Sequence, residues 1–192
     1  PADSIFDSLT DAHDGWYDAP EGRAIFQEEA ECLRRLDAFS GPWLEVGVGT
    51  GRFAEALGVA HGVDLSPSMA AKAERRGVRV CAGRAEQLPF PDHTFDGALL
   101  ALTLCFLCNP EKALRECARV LRKNGRLVIG TVPADSPWGR TYMRKGAEGH
   151  PLYAHARFFT AAEAVRLVEK AGFRFRRGCS ALFWEPGHPP PG

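Results

Sequence analysis

An apolar strand that runs directly into a glycine-rich turn constrains the fold of this chain more than any other feature. Residues 43–53 read Trp-Leu-Glu-Val-Gly-Val-Gly-Thr-Gly-Arg-Phe. Because glycine has no Cβ, Gly47, Gly49 and Gly51 let the backbone adopt positive φ and approach a ligand closely. Glu45 places a carboxylate at the carboxyl edge of the sheet, where open α/β sheets bind ligands. The turn therefore predicts a ligand site after the first strand.

The spacing of the three glycines separates two kinds of cofactor turn. The dinucleotide fingerprint G-x-G-x-x-G, counted from Gly47, would require glycine or alanine at position 52, where this chain has Arg52. The spacing G-x-G-x-G therefore favours a different ligand. Two alternatives stay open: a nicotinamide-dependent Rossmann oxidoreductase, which the alternating strands and helices and Asp64 allow, and a tight turn without a ligand.

Composition narrows the class of partner. The chain has 192 residues, enough for one domain with a single core. Its 24 acidic and 24 basic residues balance, which gives no steering toward nucleic acid or an anionic membrane, and a small neutral or amphipathic molecule fits better. No apolar run approaches the roughly 20 residues of a membrane span, and no signal pattern opens the chain, so we expect a cytoplasmic protein. Cys105 and Cys108 lack two further ligands at zinc-like spacing, so we expect apolar packing there and no metal site.

Strand-like and helix-like segments alternate after residue 42, as in a doubly wound, mostly parallel α/β sheet. The run at 95–102 is apolar at nearly every position, which predicts a strand buried on both faces. Ser66, followed by proline, predicts a helix start. Asn124, followed by glycine, predicts the left-handed end of a helix. The predicted strands are 43–48, 59–64, 78–81, 95–102 and 126–132, and the predicted helices include 24–39, 53–57, 67–76, 110–121 and 161–171.

Three further motifs follow the glycine turn in a fixed order. They are Gly-Val-Asp-Leu-Ser-Pro-Ser-Met at 62–69, Ala-Glu-Gln-Leu-Pro-Phe at 85–90, and Val-Leu-Arg-Lys-Asn-Gly-Arg-Leu-Val-Ile at 120–129. Together with the turn they resemble the motifs of class I S-adenosylmethionine-dependent methyltransferases. The resemblance covers roughly residues 40–175 and is nearest to the type 11 methyltransferase domain of the ubiquinone and menaquinone biosynthesis group. It implies a Rossmann-like sheet of six to seven strands under an N-terminal helical cover.

The resemblance also implies roles for individual residues. The glycine turn would hold the methionine part of the cofactor, and Asp64 would accept bonds from both ribose hydroxyls. Adenine would lie against the backbone of Ala85 or Glu86 with a contact from Leu88, because Arg84 replaces the aspartate that is common there. The implied cofactor is S-adenosylmethionine, with S-adenosylhomocysteine as product. The implied cofactor-binding residues are Tyr17, Glu45, Gly47, Gly49, Gly51, Asp64, Leu65, Ser66, Ala85, Glu86, Leu88 and Leu102.

The ends of the chain are expected to complete the domain. In the family an N-terminal helical segment folds over the cofactor, so Trp16 or Tyr17 either closes the methionine end or only packs. We expect either that residues 173–184 form a short hairpin or that the last strand lies beyond residue 192. We expect a single methyltransferase domain over 1–192, with a helical cover at 1–40, a cofactor-binding half at 41–132, and a substrate-side lid with the final strand or strands at 133–192.

Methyl transfer from a sulfonium is an in-line displacement, so the protein mainly aligns and desolvates the reactants. A general base is needed only if the acceptor must lose a proton. The Asn/Asp-Pro-Pro-aromatic tetrad of enzymes that methylate nucleobases does not follow the fourth strand. We therefore expect a small, partly apolar acceptor and not a nucleobase. A non-catalytic S-adenosylmethionine-binding module stays as a further alternative. Candidate bases, each with packing as the alternative role, are Tyr17, Tyr142, His150, Tyr153 and His155.

Overall fold

The computed structural model describes residues 3–188 and contains one parallel sheet flanked by helices. None of the helices in that range combines the length and apolar character needed to cross a bilayer. The strands are β1 Trp43–Val46, β2 His61–Asp64, β3 Arg79–Ala82, β4 Phe95–Ala101 and β5 Leu121–Gly130. The helices are α1 Asp3–Trp16, α2 Pro20–Leu36, α3 Arg52–Leu57, α4 Pro67–Arg75, α5 Pro110–Val120, α6 Pro137–Ala147 and α7 Ala161–Lys170, with short 3-10 turns at Leu104–Phe106 and Tyr153–His155.

The five strands run parallel in the order β3-β2-β1-β4-β5. Glu45 on β1 lies opposite Gly62 on one side and Leu99 on the other. The chain leaves β1 toward β2 and later returns to β4 on the opposite side of β1. This reversal creates a crevice at the carboxyl ends of β1 and β4, the position where doubly wound sheets bind ligands.

The sheet separates two apolar clusters, as expected for a layer covered by helices on both faces. Successive residues of β1 alternate between them: Trp43 belongs to one cluster, and Leu44 and Val46 belong to the other. In β4, Leu99 joins the Trp43 cluster and Leu100 the opposite one. The predicted doubly wound α/β class is therefore confirmed.

Helix starts follow the local sequence closely. The Ser66 side chain accepts a hydrogen bond from the Met69 backbone N–H at 3.2 Å, which caps α4 as predicted. Thr160 and Glu163 form a reciprocal capping box at the start of α7. The start of α2 was not predicted as closely. This helix begins at Pro20 and ends at Leu36, so it lies about one turn earlier than the predicted helix at 24–39.

The prediction that Asn124 ends a helix was wrong. Helix α5 ends at Val120, and β5 begins at the next residue, five residues before its predicted start. Asn124 does adopt the left-handed conformation, with φ 64°. It does so inside β5, where the register with β4 shifts between the pair Phe95–Leu121 and the pair Gly97–Arg126. The residue bends a strand there because extra residues must be accommodated between two paired segments.

The sheet has five strands, and the expected six to seven were too many. Residues 173–184 form neither a strand nor a hairpin within the described chain. Their apolar side chains do not alternate toward the core, since Phe175 is 52% and Phe183 is 83% exposed. The segment is tied to helices instead: the Trp138 indole N–H donates to the Trp184 carbonyl at 2.9 Å, and Arg177 donates to the Leu36 carbonyl.

Candidate active site

A cavity of about 840 Å³ lies at the carboxyl ends of β1, β2 and β4. Its floor is the glycine turn after β1 and the segment after β4. Helix α1 and the residues that follow it form one wall, and α6 with the 3-10 turn at Tyr153–His155 contributes another. The cavity therefore occupies the crevice that the strand order creates.

The three glycines of the turn are required for two different reasons. All have positive φ, at 71° for Gly47, 52° for Gly49 and 82° for Gly51. A Cβ on Gly47 would lie 2.4 Å from Thr103, and one on Gly51 would lie 2.8 Å from Ala73. A Cβ on Gly49 would meet nothing within 4 Å. Gly49 therefore leaves open space in the cavity, whereas Gly47 and Gly51 permit close packing.

Asp64, at the end of β2, is held in place by backbone donors. Its Oδ2 accepts from the Gly49 N–H at 2.8 Å, and its Oδ1 accepts from the Ser66 N–H at 2.9 Å. Burial raises the pKa of Asp64, and these two N–H groups oppose the shift. Each carboxylate oxygen keeps a second lone pair that can accept a bond from a ligand. The turn and the start of α4 thus aim one carboxylate into the cavity.

Glu45 is a buried acid with an unused oxygen. The residue is 1% exposed, and its Oε2 has no hydrogen-bond partner among the described residues. Burial raises the pKa of Glu45 well above its ordinary value; the Ala54 backbone N–H opposes this, and Asp64 adds to it. A buried polar atom left without a partner costs about 1–3 kcal/mol. Such a group in a cavity wall is suited to meeting a ligand donor.

Most of the sequence-predicted cofactor residues surround this cavity. Gly51 does not line it, since it lies at the N-cap of α3. Leu88 is a core residue, 4% exposed, whose N–H donates to Glu116 at 2.8 Å. The predicted residues that do line the cavity are Tyr17, Glu45, Gly47, Gly49, Asp64, Leu65, Ser66, Ala85, Glu86 and Leu102.

A network of charges fastens α1 over the cavity. Asp14 of α1 accepts from Arg52 at 2.7 Å and from Arg76 at 3.1 Å. Although burial opposes it, these bonds hold the pKa of Asp14 well below its ordinary range. The Arg52 guanidinium also lies 5.5 Å from the centre of the Tyr17 ring. Arg52, which occupies the fingerprint position of a dinucleotide site, therefore holds the helical cover in this protein.

The candidate bases divide into two groups. Tyr142, His150 and Tyr153 line the cavity, whereas His155 is exposed and lies outside it. The Tyr142 and Tyr153 rings stack with centroids 4.5 Å apart, and His150 stacks on Tyr153 at the same distance. Burial raises the pKa of Tyr153 to about 12 and that of Tyr142 further. Neither phenol is therefore ionised near neutral pH.

Glu29 is a cavity residue that the sequence reasoning missed. It lies on α2, lines the cavity, and has an Oε2 without a partner in the described chain. Burial raises the pKa of Glu29 to about 8. The signal was present in the spacing, because Glu29 is four residues from both Ile25 and Leu33, which are buried. Residues four apart share one helix face, so Glu29 belongs to the inner face of α2.

The sheet order, the glycine turn and the acid after β2 define the class I methyltransferase fold. Residues 44–129 match the family model described as a methyltransferase domain. A crystal structure from Thermotoga maritima, described as a SAM-dependent methyltransferase and possible histamine N-methyltransferase, superposes with a TM-score of 0.85 at 39% identity. That match covers 90% of this chain and 81% of the other. The chain belongs to the S-adenosylmethionine-dependent methyltransferase family.

Two further relatives show the breadth of this family. An uncharacterized protein of Mycobacterium tuberculosis is 44% identical over 100% of this chain, which spans 66% of that protein. A demethylmenaquinone methyltransferase of Thermobifida fusca is 34% identical over 66% of this chain and 58% of that protein. The second match confirms the resemblance to menaquinone biosynthesis methyltransferases.

Proposed function

We propose that this protein transfers a methyl group from S-adenosylmethionine to a small, partly apolar acceptor by in-line displacement and releases S-adenosylhomocysteine. The observation that carries the proposal is Asp64, whose carboxylate is fixed by Gly49 and Ser66 beside the open space that Gly49 leaves. The family generally uses this cofactor, and the residues present fit it. When bound, the cofactor supplies a methyl group already activated on a sulfonium.

Each part of the cofactor would contact a different part of the cavity wall. Asp64 would accept bonds from the ribose hydroxyls, since its two oxygens are held in one plane by backbone donors. The unpartnered Oε2 of Glu45 would accept from the ammonium group of the methionine part. The backbone at Ala85 and Glu86 would face adenine. Gly51 and Leu88 support these walls from outside the cavity, through packing and not through contact.

The remainder of the cavity provides space for an acceptor. Its lining continues past Tyr17 to Phe106, Leu107 and Phe158, side chains that exclude water from the reacting atoms. Alignment in a dry pocket supplies a large part of the rate in a displacement of this kind. The names of the relatives mention histamine and demethylmenaquinone, two chemically different acceptors. The acceptor class must therefore be inferred from the residues of this chain.

Titration calorimetry with S-adenosylhomocysteine tests the proposal. We expect saturable binding to the unmodified chain, and about 10- to 100-fold weaker binding to D64A, because a charged acceptor of hydrogen bonds is lost. D92A is a matched control, since the Asp92 side chain is 63% exposed and pairs with Arg119 outside the cavity. Absence of binding to the unmodified chain would overturn the proposal, and equal affinity in D64A would overturn the ribose assignment.

Binding and turnover measurements test the two alternatives, a nicotinamide-dependent oxidoreductase and a non-catalytic binding module. A nicotinamide dinucleotide that binds more tightly than S-adenosylhomocysteine would favour an oxidoreductase. Arg52 argues against this alternative, because it stands at the third glycine position of the dinucleotide fingerprint and pairs with Asp14. Cofactor binding without methyl transfer to any quinone, phenol, amine or small acid would favour a non-catalytic module. Release of S-adenosylhomocysteine in the presence of an acceptor is the measurement that decides this second case.

A further inference from the structure

The wall of the cavity that α2 contributes contains a carboxyl group with an oxygen that has no partner among the described residues. Glu29 lines the cavity from α2, and its Oε2 is buried without a hydrogen bond. It belongs to the inner face of the helix, between the buried residues Ile25 and Leu33. An unmade bond at a buried oxygen costs about 1–3 kcal/mol. The position is therefore unfavourable for folding and suited to a ligand.

Three tyrosines line the same cavity as this carboxyl group. Burial raises the pKa of Tyr17, Tyr142 and Tyr153 most, and the charge of Glu29 adds to the shift in each of them. Glu29 and the three phenols therefore share one cavity. Phenol oxygens and a carboxylate can all accept hydrogen bonds, and the carboxylate adds a negative charge. Together they form a group of oxygens that is complementary to a positively charged donor.

Among the basic side chains that line the cavity, Arg52 and Lys145 have other contacts. Arg52 pairs with Asp14 and Asp18. Lys145 is exposed and lies over the ring of Tyr142, with its Nζ 5.9 Å from the ring centre. The pKa of Glu29 is raised by burial, and no basic residue of the described chain opposes that shift. In the empty cavity the carboxyl therefore keeps its proton near neutral pH, and a cation that enters the cavity would favour the charged form.

We infer that the acceptor is a small amine, whose nitrogen binds between the Glu29 carboxylate and the hydroxyl groups of Tyr142 and Tyr153. This inference rests on the proposed function. An amine brings both a positive charge and N–H donors, whereas an alcohol brings one donor without charge. An anionic acceptor would find no positive charge at Glu29 or Glu45. The apolar lining beyond the phenols suits a hydrocarbon or aromatic substituent on the amine.

The chemistry balances with one proton on Glu29. The bound ammonium gives an N–H proton to the Glu29 carboxylate, which leaves a lone pair on nitrogen. That lone pair forms the new bond to the methyl carbon while the carbon–sulfur bond breaks, and its electron pair stays on sulfur. The products are an N-methylammonium and S-adenosylhomocysteine, and the proton on Glu29 passes to water when they leave. Because the pKa of Glu29 is about 8 in the empty cavity, the carboxyl first releases its own proton to water when the ammonium binds, and the resulting carboxylate then accepts the N–H proton.

Calorimetry on the full chain saturated with S-adenosylhomocysteine tests the inference. Three probes share one skeleton and differ in the polar group: 2-phenylethylamine, 2-phenylethanol and 3-phenylpropionate. We expect the amine to bind at least tenfold more tightly than the other two. In E29Q we expect at least a tenfold loss of amine affinity with unchanged affinity for S-adenosylhomocysteine. E28Q is the matched control, because Glu28 lies on the same helix with an exposed side chain.

The outcomes separate this inference from the proposed function. Failure of S-adenosylhomocysteine to bind the unmodified chain would overturn the proposed function. Normal binding of that product, together with an E29Q variant that binds the amine as well as the unmodified chain, would overturn only the amine site. The same conclusion would follow if the alcohol or the acid bound as tightly as the amine, or if the amine did not bind.

Discussion

Replacing Glu29 with glutamine should stabilise the protein, and the gain should depend on pH. In the folded chain burial raises the pKa of Glu29 to about 8, from an ordinary value of 4.5. The unfolded chain releases the proton near that ordinary value, whereas the folded chain keeps it over a further range of pH. Folding therefore carries a penalty that grows between these two pKa values, and E29Q lacks it because an amide does not titrate in this range.

The size of the penalty follows from the linkage between pKa and stability. Each unit of pH in this interval costs the folded state about 1.4 kcal/mol, and the stability contribution of the protonated carboxyl is lost as the pH rises. From about pH 5 to about pH 7 the cost grows by roughly 2–3 kcal/mol. The neighbouring phenols do not titrate in this range, since burial raises the pKa of Tyr153 to about 12 and those of Tyr17 and Tyr142 further.

Urea denaturation of the unmodified chain and E29Q at the two pH values measures the effect. We expect the difference in the free energy of unfolding between the two proteins to increase by roughly 2–3 kcal/mol at the higher pH. E28Q removes the same charge from an exposed position of the same helix and should show no such change. A difference between E29Q and the unmodified chain that is equal at both pH values would refute the reasoning.

Two further substitutions test the turn and the cover. G47A should destabilise the fold more than G49A, by about 1 kcal/mol or more in denaturation, because only at Gly47 would the new Cβ lie 2.4 Å from Thr103; equal losses would contradict this assignment of the two glycines. D14N should loosen α1, because it weakens the bonds to Arg52 and Arg76. Hydrogen exchange should then speed up in α1 while β4 stays protected, and unchanged exchange in α1 would show that these bonds do not hold the cover.

The sequence predicted the parts of the molecule that are decided locally. The glycine turn, the cap at Ser66 and the double burial of β4 each follow from a few adjacent residues, and the structure reproduces all three. Asn124 shows the limit of this reasoning. Its left-handed conformation was predicted correctly, but its place inside β5 depends on register with β4, which lies more than twenty residues earlier in the chain.

The ion pairs that hold the cover and the place of Glu29 in the cavity could not be predicted, for the same reason. Asp14 and Arg52 are separated by 38 positions, and the sequence of neither segment indicates that the two side chains pair. The spacing of Glu29 marks it as an inner residue of α2, but the spacing does not show that the inner face meets a cavity and not a closed core. Contacts between distant segments decide both cases. Such contacts most often determine the place of polar residues at buried positions.

Under the proposed function, Glu45 and Glu29 would each meet a positive charge in the cavity. Glu45 is buried and Glu29 is partly buried, each has a buried Oε2 without a partner in the described chain, and burial raises the pKa of each. Tyr17 lines the same cavity as both acids, and Arg52 of the cover network lies over its ring. Each acid costs stability while it is unpaired, so selection for stability alone would remove them. Two such acids in one cavity are explained if one meets the ammonium group of the cofactor and the other meets the nitrogen that receives the methyl group.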